Sequence, residues 1–138
     1  MLNQPLNIPI KGDKYQLWSE YVYTWTIDDI PQRIRIPQGF EYDGASVPRA
    51  VWSISGIRPD GLLRAAATVH DWMYRHKGKL PHMSHQMLKD GRWQPARHEW
   101  TREEADRMFG RLMREAGCSK WRRRAAYQAV KWFGWTGW

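Results

Sequence analysis

The sequence predicts an α+β fold in which an N-terminal antiparallel β-meander packs against about three α-helices. The first observation is that apolar or aromatic side chains recur at every second position in much of residues 14–42, which is typical of half-buried strands. The second is a change of period after residue 62, where apolar side chains recur every three or four positions, as in amphipathic helices. A chain of 138 residues is the usual size of one domain, so we expect the sheet and the helices to share one core.

Turn residues divide the meander into about three to five strands. Alternation runs over residues 15–27 and 33–36, and the Asp-Asp pair and the proline between them predict a turn. A second turn, Pro-Gln-Gly, precedes a short strand over residues 40–42. The lead-in, residues 1–13, contains prolines that cannot donate ladder hydrogen bonds, so its two isoleucines would pair only at a sheet edge.

The helical segments carry start and stop signals. Residues 62–74 are rich in Ala and Leu, and their period places His70 on or beside the buried stripe. Further along, Thr101 and Glu104 form a capping box. The helix that they begin ends at Gly117, because glycine readily adopts the backbone conformation that terminates a helix. A last, basic helix is predicted over residues 120–133.

The segment between the first two helices is harder to assign. Residues 76–100 have no helical period, yet they contain four of the five histidines and a Lys-Asp-Gly turn. This predicts a flap with a small β-hairpin.

The predicted single domain therefore consists of a lead-in (1–13), a β-meander (14–42), a motif with the first helix (43–75), a His-containing flap (76–100), two C-terminal helices (101–134) and an aromatic tail (135–138).

The composition limits the function classes. Lys and Arg number 22 against 14 Asp and Glu, a net charge of +8, and this balance favours anionic partners. The single cysteine excludes an internal disulfide and a multi-cysteine zinc site. No apolar run approaches the roughly 18–20 residues that span a bilayer. The N-terminus also lacks a signal-peptide pattern, so we expect a protein of the cytoplasm or of a particle.

The richest motif is Asp43–Pro48, with the sequence Asp-Gly-Ala-Ser-Val-Pro, together with the pair His70-Asp71 in the next helix. Asp106 lies beside the apolar stripe of the following helix. Ionisable groups at such positions are costly to bury without partners, and strongly perturbed groups collect at functional sites. The candidate catalytic and metal-binding residues are Asp43, Ser46, His70, Asp71 and Asp106.

Three interpretations of these residues stay open. In the first, His70 is a general base or a metal ligand, and a carboxylate such as Asp71 orients its ring. Asp43 and Asp106 would join that imidazole in a site for Mg²⁺ or Mn²⁺, with Zn²⁺ less favoured. In the second, Ser46 is a nucleophile with His70 as its base, although serine is a common helix cap. In the third, the residues form a buried network that stabilises the fold without chemistry.

The basic last helix begins with Trp121 followed by Arg122, Arg123 and Arg124. Guanidinium groups bind phosphate in a bidentate manner, and an adjacent indole can stack on a base, so these four residues are candidates for substrate binding. A solvated surface is the alternative. The sequence has no helix-turn-helix or zinc-finger pattern, which argues against sequence-specific DNA recognition.

The order of the motifs resembles that of a known family. The motifs are Gly39-Phe40, Asp43–Pro48, His70-Asp71 with Tyr74, Ala105–Arg107 with Met113 and Gly117, and Tyr127, Val130 and Gly134. Together they resemble domain-of-unknown-function family 1353, which is found in phages and prophages, over roughly residues 30–134. The resemblance implies a viral setting, either the cytoplasm of the bacterial host or the virion.

These features predict a small phage- or prophage-encoded hydrolase that acts on an anionic substrate. The first expectation is a phosphoester such as a nucleotide or a signalling nucleotide, and the latter would fit a counter-defence role. The alternatives are a non-enzymatic protein that sequesters a nucleotide, a virion tail or assembly protein that contacts other particle proteins, and a peptidoglycan hydrolase.

Overall fold

The computed structural model describes residues 2–11, 14–42, 64–133 and 138. Their arrangement confirms the predicted α+β class, with two antiparallel sheets and three helices among these residues. The elements in chain order are β1 (Asn7–Ile10), β2 (Lys14–Leu17), β3 (Tyr21–Ile27), β4 (Ile30–Ile36), β5 (Glu41–Tyr42), α1 (Arg64–Arg75), β6 (His85–Lys89), β7 (Arg92–Pro95), α2 (Arg102–Glu115) and α3 (Lys120–Phe133).

The strands form one three-stranded sheet in the order β1-β2-β5 and one four-stranded sheet in the order β3-β4-β6-β7. In the larger sheet β3 and β4 pair along their whole length, from Tyr21 opposite Ile36 to Ile27 opposite Ile30. Strand β6 pairs with β4 through Ile34 opposite His85 and its neighbours. Strands β6 and β7 pair from Gln86 opposite Pro95 to Lys89 opposite Arg92, so the predicted hairpin within residues 76–100 is present. Through β6 this hairpin extends the larger sheet.

The alternation predicted from the sequence is visible in the burial of the strands. Along β3, Tyr21, Tyr23 and Trp25 are buried while the residues between them are exposed. Along β4 the inward positions include Ile34 and Ile36. The inward faces of these strands form one side of the core, because successive side chains of a strand point to opposite faces.

The turns of the β3–β4 and β6–β7 hairpins use residues that tolerate a positive φ. Asp28 and Asp29 have φ of 49° and 64°, and Asp90 and Gly91 have φ of 53° and 73°. Two consecutive left-handed residues are typical of the tight turns whose twist matches that of the flanking strands. The two turns predicted from these residues are confirmed.

The helix signals are confirmed in the same way. The Thr101 hydroxyl accepts from the Glu104 backbone N–H at 3.1 Å, and the Glu104 carboxylate accepts from the Thr101 N–H at 3.0 Å. Gly117 follows α2 with a φ of +91°, and α3 has the predicted bounds. The sequence also predicts a short helical turn over residues 49–54, after a serine that can cap it, and this segment lies outside the described residues.

One hydrogen-bond chain attaches α1 to the larger sheet. The Trp72 indole donates to the Ser84 hydroxyl at 3.0 Å, and that hydroxyl donates to the Arg35 carbonyl at 2.8 Å. The Trp72 ring also meets Phe40 edge-to-face, with 5.0 Å between ring centroids. In the described part of the chain, no helix has the length and the apolar character needed to cross a membrane.

Candidate functional site

A buried polar cluster lies where α1 packs against α2. The imidazole of His70 donates from Nε2 to Asp106 Oδ1 at 2.7 Å, and the Tyr74 hydroxyl donates to the same oxygen at 2.8 Å. His70 is 0%, Asp106 2% and Tyr74 3% exposed. Because His70 and Tyr74 are separated by one helical turn, both reach the same carboxylate on the opposing helix.

Three groups compensate the negative charge of Asp106. In addition to the two hydrogen bonds, the Arg102 Nε lies 3.7 Å from Asp106 Oδ2, one turn earlier on the same helix. A buried carboxylate is tolerated when it is paired and hydrogen-bonded in this way. Burial first, and then the charge of Asp106, raise the pKa of the Tyr74 hydroxyl above its ordinary range, so Tyr74 remains a donor at any physiological pH.

The packing fixes the orientation of the His70 ring. Its centroid lies 4.2 Å from that of Tyr74 and 5.2 Å from that of Phe109. A carboxylate only accepts hydrogen bonds, so Nε2 carries the hydrogen of this contact, and Nδ1 is the ring nitrogen that the contact with Asp106 does not involve. This arrangement is the one that orients a histidine for acid–base chemistry.

The structure brings together only part of the candidate set. His70, Asp106 and Tyr74 are in contact, and Asp71 is buried at 5% exposure next to His70 in the chain. Asp43 and Ser46 lie outside the described residues, so their predicted roles as metal ligand and nucleophile stay predictions.

The predicted metal site also stays a prediction. The described residues contain no group of three or more His, Cys, Asp or Glu that could hold a metal ion. His70 Nε2 and Asp106 Oδ1 are bonded directly at 2.7 Å. A shared ion about 2.0–2.2 Å from each of these atoms would have to replace that bond.

The predicted substrate-binding residues occupy the first turns of α3. Trp121 is 59% exposed, and the Arg122 guanidinium lies over its ring at 5.4 Å from the centroid. Arg123 and Arg124 line a groove between α2 and α3. This cation–π contact pairs Trp121 with Arg122.

Sequence reasoning missed two sets of residues. Arg102 was not predicted to be a site residue, although its spacing of four from Asp106 is a usual signal for an ion pair on a helix. A binding role was also not predicted for Arg107, Arg111 and Arg114, although their spacings of four and three place them on one helix face. Both signals are present in the sequence, but only the packing shows which neighbours those arginines face.

Comparison with known proteins gives a family and no described activity. Residues 15–130 match the model of the family described as "Protein of unknown function (DUF1353)". A relative in Sinorhizobium fredii (strain NBRC 101917 / NGR234), "Uncharacterized protein y4jT", is 29% identical over 103 residues. That alignment covers 73% of this chain and 24% of the relative, so the chain spans about a quarter of that protein. No solved structure matches. The family model covers most of the chain, and the protein therefore belongs to the DUF1353 family.

Proposed function

We propose that this protein hydrolyses an ester bond in an anionic substrate, with a phosphoester as the first expectation, and that His70 is its general base. The observation that supports this most is the 2.7 Å contact of His70 Nε2 with Asp106, where the two side chains are 0% and 3% exposed. A carboxylate on one ring nitrogen sets the tautomer and stabilises the imidazolium that forms when the other nitrogen takes a proton. The proposed setting is viral, in the host cytoplasm or the virion.

The proposed reaction uses the residues of this cluster. His70 Nδ1 removes a proton from a water molecule, and the hydroxide attacks the phosphorus atom of the substrate. The bond to the leaving oxygen breaks, and the imidazolium returns the proton to that oxygen. Asp106 stabilises the imidazolium, while Tyr74 and Arg102 hold the Asp106 carboxylate in place. Because His70 is fully buried, turnover would follow a local opening that admits water and substrate.

The proposal gives Asp71 the role of metal ligand. Asp71 is the carboxylate next to His70 in the chain, and it is buried at 5% exposure. A Mg²⁺ or Mn²⁺ ion there, with Asp43 as a second ligand, would polarise the scissile group.

The test is a substrate screen with the purified chain. The panel contains nucleoside triphosphates, cyclic nucleotides, bis(p-nitrophenyl) phosphate, p-nitrophenyl butyrate and glycerophospholipid vesicles. Each substrate is tried with Mg²⁺, Mn²⁺, Ca²⁺ or EDTA. We expect a phosphoester to be cleaved and EDTA to abolish cleavage. Cleavage of carboxylic esters alone would retain His70 as base and change the bond that is attacked.

The informative variant is His70→Gln. Glutamine keeps an N–H donor for Asp106 but cannot act as a base, so the fold should remain while turnover falls by about 10²–10⁴-fold. Tyr74→Phe is the comparison variant, because it removes one hydrogen bond that holds Asp106 and leaves the base intact. Its turnover should therefore fall much less than that of His70→Gln. Retained turnover in His70→Gln, or no turnover of any substrate by the wild-type chain, would show that the cluster only stabilises the fold.

A further inference from the structure

A second depression lies away from the His70 cluster, between the larger sheet and α2. This cleft has a volume of about 580 Å³, which is within the range of small-molecule sites. Its sheet side is aromatic and its helix side is cationic. The residues that matter for its chemistry are Trp25, His85 and Trp100 on the first side and Arg107, Arg111 and Arg114 on the second.

The aromatic side is a packed set of rings. Trp25 stacks on His85 with centroids 5.4 Å apart and planes at 25°, and Trp100 lies 5.3 Å from His85. His98 meets Trp100 edge-to-face at 5.3 Å. The rings of Trp25, His85 and Trp100 are 4–7% exposed, so the surface that they leave to the cleft is small and aromatic. Such a surface suits one flat ring, because stacking is tolerant of the identity of the base.

Two buried polar atoms in this wall have no hydrogen-bond partner. They are His85 Nδ1 and Trp100 Nε1, in residues that are 7% and 6% exposed. His85 Nε2 donates to the Gln32 side-chain oxygen at 2.9 Å, so Nδ1 is left as an acceptor. Burial, followed by the nearby His98, lowers the pKa of His85 to about 4, which keeps it neutral. An unpaired acceptor and an unpaired donor in one cleft wall cost stability unless a ligand satisfies them.

The helix side carries an excess of positive charge. Arg107, Arg111 and Arg114 form one row, in which Arg111 is paired with Glu115 at 3.3 Å, and Arg97 adds a fourth guanidinium from the loop. The carboxylate that lines the cleft, Glu104, is engaged. Burial opposes its ionisation, but hydrogen bonds from the Thr101 backbone and from His98 outweigh this effect and lower the pKa of Glu104. The electrostatic environment therefore favours an anion.

The same row of arginines borders a second groove, on the α3 side of α2. This groove has a volume of about 410 Å³ and is also lined by Lys120, Arg123, Arg124 and Tyr127. Since a helix rises 1.5 Å per residue, the row from Arg107 to Arg114 is about 10 Å long. Cleft and groove thus share one cationic wall that is long enough for more than one phosphate.

We propose that the cleft and the groove together bind single-stranded nucleic acid. One base occupies the aromatic side of the cleft, near His85 and Trp100, and the backbone phosphates follow the shared arginine row toward α3. The concave shape and the unpaired hydrogen-bonding atoms favour base edges over a flat membrane surface. This site is separate from the His70 cluster, and its occupation does not depend on the proposed hydrolysis.

The experiment measures fluorescence anisotropy of a short labelled oligothymidylate with the full chain at several salt concentrations. The test variant is the double substitution Arg107→Ala and Arg114→Ala. The matched control is Arg75→Ala with Arg92→Ala, which removes the same charge from exposed positions outside the cleft and the groove. Each protein is measured both with and without an added His70→Gln substitution. Cleavage of the oligonucleotide then cannot be mistaken for weak binding.

We expect the test variant to bind about 100-fold more weakly than wild type, or about tenfold for each lost phosphate contact. The slope of log affinity against log salt should decrease by about 1.4, since each contact on a single strand contributes about 0.7. The control should lose less than about threefold by the general effect of charge. His70→Gln should bind as wild type does.

Three results would overturn the proposal. The first is equal loss of affinity in the test and control variants, which would mean that only net charge attracts the strand. The second is equally tight binding of inorganic polyphosphate, which would mean that the aromatic side contributes nothing. The third is displacement of the strand by vesicles of anionic phospholipid at lower concentration than by unlabelled oligothymidylate, which would identify a membrane-binding surface.

Discussion

The hydroxyl of Tyr74 provides a direct measure of how much the buried cluster contributes to stability. It donates to Asp106 at 2.8 Å, and both residues are 2–3% exposed. Tyr74→Phe removes one oxygen atom and keeps the ring against His70. A hydrogen bond to a charged group contributes about 1.5–3 kcal/mol. The loss should stay below the about 3–5 kcal/mol of a buried charge left alone, because Asp106 keeps His70 and Arg102 as partners.

This free energy converts into a shift of the melting temperature. At about 2.1 cal/mol/K per residue, a chain of 138 residues has an unfolding entropy of about 290 cal/mol/K. Tyr74→Phe should therefore melt about 5–10 °C below wild type in calorimetry or circular dichroism. Tyr127→Phe is the control, since Tyr127 is half-buried and should change stability by less than about 0.5 kcal/mol. A shift of Tyr74→Phe as small as that of the control would refute the reasoning.

Three further predictions follow from other parts of the fold. The pKa of His85 is about 4 in the folded chain and about 6.5 in the unfolded chain. The free energy of unfolding should therefore fall by up to about 3 kcal/mol as the pH drops from 6.5 to 4. Urea titrations should show this loss in wild type and much less of it in a His85→Gln variant. Gly78→Ala should cost at least about 3 kcal/mol, because a Cβ there would lie 1.9 Å from the Trp100 carbonyl oxygen at a φ of +80°. Gly91→Ala, with a φ of +73° and nothing within 4 Å, should cost only about 1 kcal/mol in the same melting assay, and equal losses would contradict the steric argument. Thr101→Ala should lower the free energy of unfolding by about 1 kcal/mol through loss of the helix cap, and Thr101→Ser, which keeps a hydroxyl, should restore most of it.

Elements whose determinants are local could be predicted from the sequence. The α2 helix begins at a capping box and ends shortly before Gly117, and both signals lie within one turn of the helix ends. The Asp-Asp and Asp-Gly turns likewise depend on which residues accept a positive φ. The bounds of α3 also agreed with the prediction. In each case a few consecutive residues determine the conformation, so no distant contact is needed.

The pairing of strands that are distant in the sequence could not be predicted in this way. The hairpin at residues 85–95 was predicted as an element, but its attachment to β4 joins residues that are 53 apart in sequence, as in the hydrogen bond between Arg33 and Gln86. The sequence placed this segment in a flap because alternation does not identify the strand with which another strand pairs. Strand register and partner are decided by burial and by the competition of all exposed edges.

The residues of the two candidate sites show the same difference between local signals and contacts made by tertiary packing. The sequence by itself determined that His70 and Asp106 each lie at or beside an apolar helix stripe, and that arginines recur on one face of α2. Only the tertiary structure decided that these two residues, 36 apart, meet at 2.7 Å and that the arginine row faces Trp25, His85 and Trp100 across a cleft. The physical reason is that helical periodicity specifies which side chains share a face, whereas the packing of that face against another element sets its contacts, and hence its hydrogen bonds and charges.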